Sequence, residues 1–104
     1  MTGFRIQHRA AAQLDEIYCY TRAQWGQVQA EQYLRALFAS FKRAAQGGVP
    51  SRPVPAEFGV DGYFYRCRKH FVYWKWLESG EIGIVAVLHE RMHQIERFQQ
   101  DLDD

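Results

Sequence analysis

Cysteine is scarce in this chain. There are two in 104 residues, Cys19 and Cys67, far apart and without a Cys-x-x-Cys pair. That excludes a zinc ribbon or a dithiol redox motif, and the expectation is two small buried hydrophobes in a reducing compartment. Proline is also rare. Pro50, Pro53 and Pro55 all fall between Val49 and Asp61, a segment that cannot continue a helix or lie in a central strand, so it is expected as an extended surface loop. No window approaches the roughly 18 uninterrupted apolar residues of a membrane span. The opening Met1-Thr2-Gly3-Phe4-Arg5 lacks the apolar stretch of a secretory signal, so a cytoplasmic location is expected. An excess of one charge is missing too: 13 Lys and Arg stand against 12 Asp and Glu, for a net charge of +1. This argues against nucleic-acid binding by bulk electrostatics but leaves room for a local basic patch. Three of the acids sit in Asp101-Leu102-Asp103-Asp104, so the body is more basic than the total.

Large rings are abundant. The chain is 47% apolar and 15% aromatic, with three Trp, six Tyr and seven Phe, too apolar to stay disordered. Each buried ring removes roughly 150–250 Å² from water, enough for a chain of this length to fold without metal or disulfide staples. Residues 1–104 fit a single domain, and no cofactor is expected.

The hydrophobic period changes along the chain. Phe4-Arg5-Ile6-Gln7-His8 alternates and predicts a short strand. Ala11, Leu14, Ile17, Tyr18 and Thr21 follow a 3.6-residue spacing, predicting a helix from about Arg9 to Gln24 that Gly26 breaks. Ala30, Tyr33, Leu34, Leu37, Phe38, Phe41, Ala44 and Ala45 form the cleanest stripe and predict a second helix stopped by Gly47-Gly48. The short link implies an antiparallel helical hairpin. After the prolines, Tyr63–Lys69 and His70–Leu77 read as two strands or one bent ribbon. Glu78-Ser79-Gly80-Glu81 reads as a turn and Ile82–His89 as a last strand antiparallel to its predecessor. Ile95, Phe98 and Leu102 suggest a short terminal helix. The expected fold class is α+β: an antiparallel sheet of about four strands packed on an N-terminal helical hairpin, in the order β-α-α-β-β-β.

Three clusters stand out. Ile84-Val85-Ala86-Val87-Leu88 runs directly into His89-Glu90-Arg91-Met92-His93, so a strand buried on both faces delivers a polar group to the surface on a rigid support. Two histidines without a third nearby Cys or acidic ligand do not make a metal site. Arg66, Arg68, Lys69 and His70 form the densest basic group. Arg66 and Arg68, two apart, are expected on one strand face, either as a cationic patch for RNA phosphate or an acidic partner, or as a solvated face with ordinary ion pairs. Trp74 and Trp76 share one face and Tyr73 and Lys75 the other. Such aromatics are more often core than a base-stacking platform.

Three pieces of the sequence, in order and at the right spacing, resemble the ParE branch of the ParE/RelE toxin superfamily. The first is Ala12, Leu14, Asp15, Glu16 and Ile17. The second is Trp25-Gly26-x-x-x-Ala30-x-x-Tyr33-x-x-x-Leu37, and the third is Leu88-His89-Glu90-Arg91-Met92. Where that family usually has an acid after the methionine, this chain has His93.

The resemblance implies the toxin of a type II toxin-antitoxin system, neutralised by a cognate antitoxin of ribbon-helix-helix type with a disordered tail. It further implies inhibition of DNA gyrase by binding. RelE-type relatives instead cut mRNA on the ribosome, and a shared fold does not choose between the two. A nuclease needs a base, an acid and cations for the phosphorane charge, which here would be His89 and His93 with Arg66 and Arg91. RelE-type nucleases carry several lysines and arginines around the site. This chain has three lysines, Lys42, Lys69 and Lys75, which favours a binding protein over an enzyme. On that reading His89, Arg91, Met92 and His93 meet the target, and Arg66, Arg68, Lys69 and His70 meet the antitoxin.

Overall fold

The computed structural model describes residues 3–55 and 61–90. The expected terminal helix, together with Arg91, Met92 and His93, lies outside them. In chain order the elements are β1 (Phe4–Ile6), α1 (His8–Trp25), α2 (Gln27–Ala45), β2 (Arg52–Pro53), β3 (Tyr63–Cys67), β4 (His70–Trp76) and β5 (Ile82–His89). The architecture is α+β, as the periodicities predict.

A single residue, Gly26, separates α1 from α2. Its φ of 94° is a conformation that side-chain-bearing residues avoid. In this geometry its N–H donates to the Arg22 carbonyl at 2.9 Å, closing α1, and its carbonyl accepts from Ala30 at 3.1 Å, opening α2. The two helices pack on each other as a hairpin.

The sheet has five strands in the order β1-β5-β4-β3-β2, and it is mixed rather than wholly antiparallel. β1 runs parallel to β5, with Phe4 opposite Ile82 and Ile6 opposite Ile84. Parallel neighbours need a long crossover, and the helical hairpin supplies the start of it. The fifth strand lies in the proline segment expected to be loop. Arg52 pairs Phe64 and Pro53 pairs Tyr63, at the sheet edge, where a residue without an N–H is tolerated. β3 and β4 are separate strands joined by Arg68-Lys69, with Cys67 opposite His70. β4 and β5 pair antiparallel through a bulge, because Tyr73 faces Ala86 while Trp74 faces Ile84, leaving Val85 as the extra residue.

The core lies between the hairpin and one face of the sheet. Leu14 from α1 and Leu37 and Phe41 from α2 meet Val72, Trp74, Ile82 and Ile84. Leu37 and Phe41 are fully buried, which stabilises by roughly 1.5–3 kcal/mol each. Two stripe positions differ from expectation. Ala10 is buried and Ala11 exposed, and Phe38 stays 40% exposed. The opposite sheet face carries a second cluster of Val54, Tyr73, Val85, Ala86 and Leu88, with Phe64 and Phe71 packed against it. Trp74 and Tyr73 thus point to opposite sides, as alternation requires. Trp76 stays exposed at 55%, its ring edge-on to Trp74 at 5.4 Å. Cys19 is exposed and Cys67 only partly buried, so the expectation of two buried thiols fails. Cys19 lies on the outward face of α1.

Candidate partner-binding site

Every residue from Ile82 to Leu88 is buried, and burial drops to intermediate at His89 and Glu90. The buried strand therefore does bring its polar end to the surface. β1 stops at Ile6, so among the described residues the edge of β5 away from β4 has no strand beside it beyond Ile84. There α1 takes over: the Gln13 side-chain carbonyl accepts the Val87 N–H at 2.8 Å. A groove of about 1060 Å³ opens between α1, the start of α2, the β3–β4 turn and the end of β5. Its apolar walls are Ile17, Tyr20, Trp25 and Val87; its polar rim includes Arg9, Glu16, Arg68, Lys69 and His89. Tyr20 and Trp25, 66% and 67% exposed, are large rings held outside the core along this groove.

At the floor, the Tyr33 oxygen accepts the Lys69 backbone N–H at 3.2 Å and lies 2.6 Å from His70 Nδ1. Burial raises the Tyr33 phenol above its ordinary value, so its proton stays on. Burial, reinforced by the neighbouring His89, lowers His70 to about 4, against an opposing pull from Glu90. The neutral imidazole and the protonated phenol therefore share one hydrogen bond, whose donor is set by the His70 tautomer: Tyr33 O–H if the ring proton is on Nε2, Nδ1–H if it is not. His89 meets His70 edge-to-face at 5.2 Å.

The structure sorts the four members of the expected basic patch differently. His70 is buried and uncharged near neutrality, so it adds no cation. Arg66 and Arg68 do not share a face. Arg68 has left the strand, with φ at 56° in the turn, and its guanidinium lies 5.9 Å from the Tyr33 ring centroid on the helix side. Arg66 lies 6.0 Å from the Phe71 ring centroid, over the second cluster. Its Nε donates to the Arg68 carbonyl at 2.9 Å and its terminal nitrogen pairs with Glu90. Lys69 is exposed in the turn and lines the groove. The structure thus brings His70, His89, Arg68 and Lys69 to one groove and puts Arg66 behind the sheet. Sequence reasoning missed Tyr33, Gln13 and Tyr20. The signal for Tyr33 was a phenol on an otherwise apolar stripe, a ring with a polar handle that seeks a partner when buried.

Together these features define a small two-layer α+β protein with a long mixed groove on its helix side, a shape suited to holding an extended or helical partner segment. The fold is shared with a chain of the solved chromosomal ParDE TA system from P. aeruginosa, at a TM-score of 0.67 and 19% identity, covering 86% of this chain and 96% of that one. In sequence, the chain is 31% identical to Toxin ParE of Escherichia coli over 102 residues, 98% of each chain. It is 34% identical to Toxin ParE1 of Caulobacter vibrioides over 95 residues, 89% of this chain and 94% of the relative. Residues 4–94 match the family described as ParE toxin of type II toxin-antitoxin system, parDE. The chain belongs to that ParE toxin family.

Proposed function

We propose that this ParE toxin is held inactive by a ParD-type antitoxin bound along the groove between α1 and the end of β5. Released from it, the toxin inhibits DNA gyrase by contact, without covalent chemistry of its own. The reading rests on the family membership and on one observation, the half-buried end of β5. There a rigid strand presents His89, and the next residues in sequence, Arg91, Met92 and His93, are proposed to complete the target-binding surface. Arg68 and Lys69 on the groove rim are proposed as antitoxin contacts. Arg66 and His70 flank the Arg68-Lys69 turn and act through it, one by bracing the Arg68 carbonyl and the other by anchoring the hairpin to Tyr33.

Binding is favoured over the RelE-like endoribonuclease because Arg66 is paired with Glu90 across the sheet from His89, so these two do not converge on one phosphate. The test is a pair of assays with the purified toxin. Gyrase supercoiling should fall while mRNA in a reconstituted translation reaction stays intact. Codon-specific mRNA cleavage with unimpaired supercoiling would replace this reading with the nuclease. Arg91→Ala should weaken inhibition while leaving the circular-dichroism melt unchanged.

A further inference from the structure

A second cavity, of about 460 Å³, lies on the other side of Arg68, between α2 and β3. Its lining includes Ser40, Arg43, Tyr65, Arg66, Cys67 and Arg68, with Arg66 already paired to Glu90. Its hydroxyls are ordered. Ser40 donates to the Leu37 carbonyl at 2.6 Å, which spends its proton, so Tyr65 O–H must be the donor in the 2.8 Å Ser40–Tyr65 bond. Burial raises the Tyr65 phenol well above its ordinary value, while Arg43 acts on it electrostatically in the opposite sense. A protonated phenol and the arginines Arg43, Arg66 and Arg68 therefore border one small space. Among the described residues, neither Arg43 nor Arg68 makes an ion pair, whereas Arg5 pairs with Glu81 and Arg66 with Glu90. Arg68 lines both this cavity and the groove, so the two adjoin at Arg68, whose guanidinium lies against Tyr33.

We propose that this cavity is an oxyanion subsite that seats a carboxylate side chain of the antitoxin, held between Arg43 and Arg68. The inference rests on the antitoxin reading above and deepens it. The groove is walled with apolar rings, and the cavity with Arg43 and Arg68, which have no ion-pair partner among the described residues, so a matching partner segment is apolar along the groove and acidic one step beyond Tyr33. A peptide carboxylate fits this continuity better than a phosphodiester, because a nucleic-acid strand offers no run of aliphatic side chains for Ile17, Trp25 and Val87. Arg43 is the residue this assigns anew. Arg66, the most obvious basic candidate, is set aside because Glu90 already occupies it.

The experiment measures binding of the full-length toxin to the ParD-type antitoxin encoded beside it, by calorimetry at two salt concentrations. Arg43→Gln keeps a good helix former, and Arg68→Asn suits the left-handed turn position, so both should fold. Each should weaken binding by about tenfold or more, as losing one member of a close interfacial charge pair does, and should flatten the salt dependence. Lys42→Gln, next to Arg43 in α2 but exposed and lining neither the cavity nor the groove, should stay within about twofold. One Asp or Glu of the antitoxin, changed to its amide, should show no further loss when combined with Arg43→Gln. Unchanged affinity in Arg43→Gln overturns the subsite while leaving the antitoxin reading intact. Failure of the wild-type toxin to bind overturns both. Loss of 20-base-pair duplex DNA binding in Arg43→Gln, with antitoxin affinity retained, makes the occupant a phosphate and overturns the carboxylate.

Discussion

Tyr33 of α2 and His70 at the start of β4 meet through a 2.6 Å contact between phenol oxygen and Nδ1. The same oxygen takes the Lys69 N–H. One hydroxyl thus ties α2 both to the tip of the β3–β4 hairpin and to the His70 ring, which in turn packs edge-to-face on His89.

Removing that hydroxyl should be costly for its size. Tyr33→Phe keeps the ring but leaves Nδ1 of the buried His70 without its partner, a loss of about 1–3 kcal/mol for a buried group left unpaired, while the exposed Lys69 N–H turns to water. Urea denaturation measures it; an unchanged midpoint would show that water replaces the phenol.

His70 should make the fold acid-sensitive. Its folded value is about 4 against an ordinary value near 6.5. Between these, the unfolded chain binds the proton and the folded chain does not, so stability is full above about 6.5 and declines as pH falls toward 4. Carboxylates contribute their own slope, so the comparison is with His70→Asn. The variant should show a shallower decline across that window, and identical slopes would place His70 in a more solvated setting than the fold indicates.

Leu37→Ala should destabilise by about 2–5 kcal/mol, since a fully buried side chain leaves a cavity behind. Thermal melts with calorimetry decide this, and a change near zero would move Leu37 off the core face.

Arg66→Ala should change stability by at most about 1 kcal/mol, because the pair with Glu90 is largely exposed and exposed pairs contribute little. A much larger loss in chemical denaturation would mean that the bond from Arg66 Nε to the Arg68 carbonyl holds the turn.

The helices were legible because each has a long stripe of one period, and Gly26 and Gly47-Gly48 mark where the stripes stop. β5 was legible because seven consecutive buried residues read as an unbroken apolar run. The pairing of β1 was not. Phe4 and Ile6 announce a strand by alternation, but nothing local names a partner nearly eighty residues away. Arg52–Pro53 hid because two residues carry no period. The opposite placement of Arg66 and Arg68 escaped because counting by twos assumes the strand continues, and Arg68 turns left-handed just beyond its end. His70 looked like a cation in a run with arginines and lysine; only the tertiary position under α2 makes it neutral.

The parallel pairing of Phe4–Ile6 with Ile82–Ile84 also bears on synthesis. During translation the helical pair emerges early, yet the strand that must lie between β1 and β4 arrives last, and closing so long a loop is entropically slow. A nascent toxin interrupted before residue 82 lacks Ile82, Ile84 and Val87, the part of the core on which α1 chiefly rests, so a prematurely terminated product should be degraded rather than poison the cell that made it.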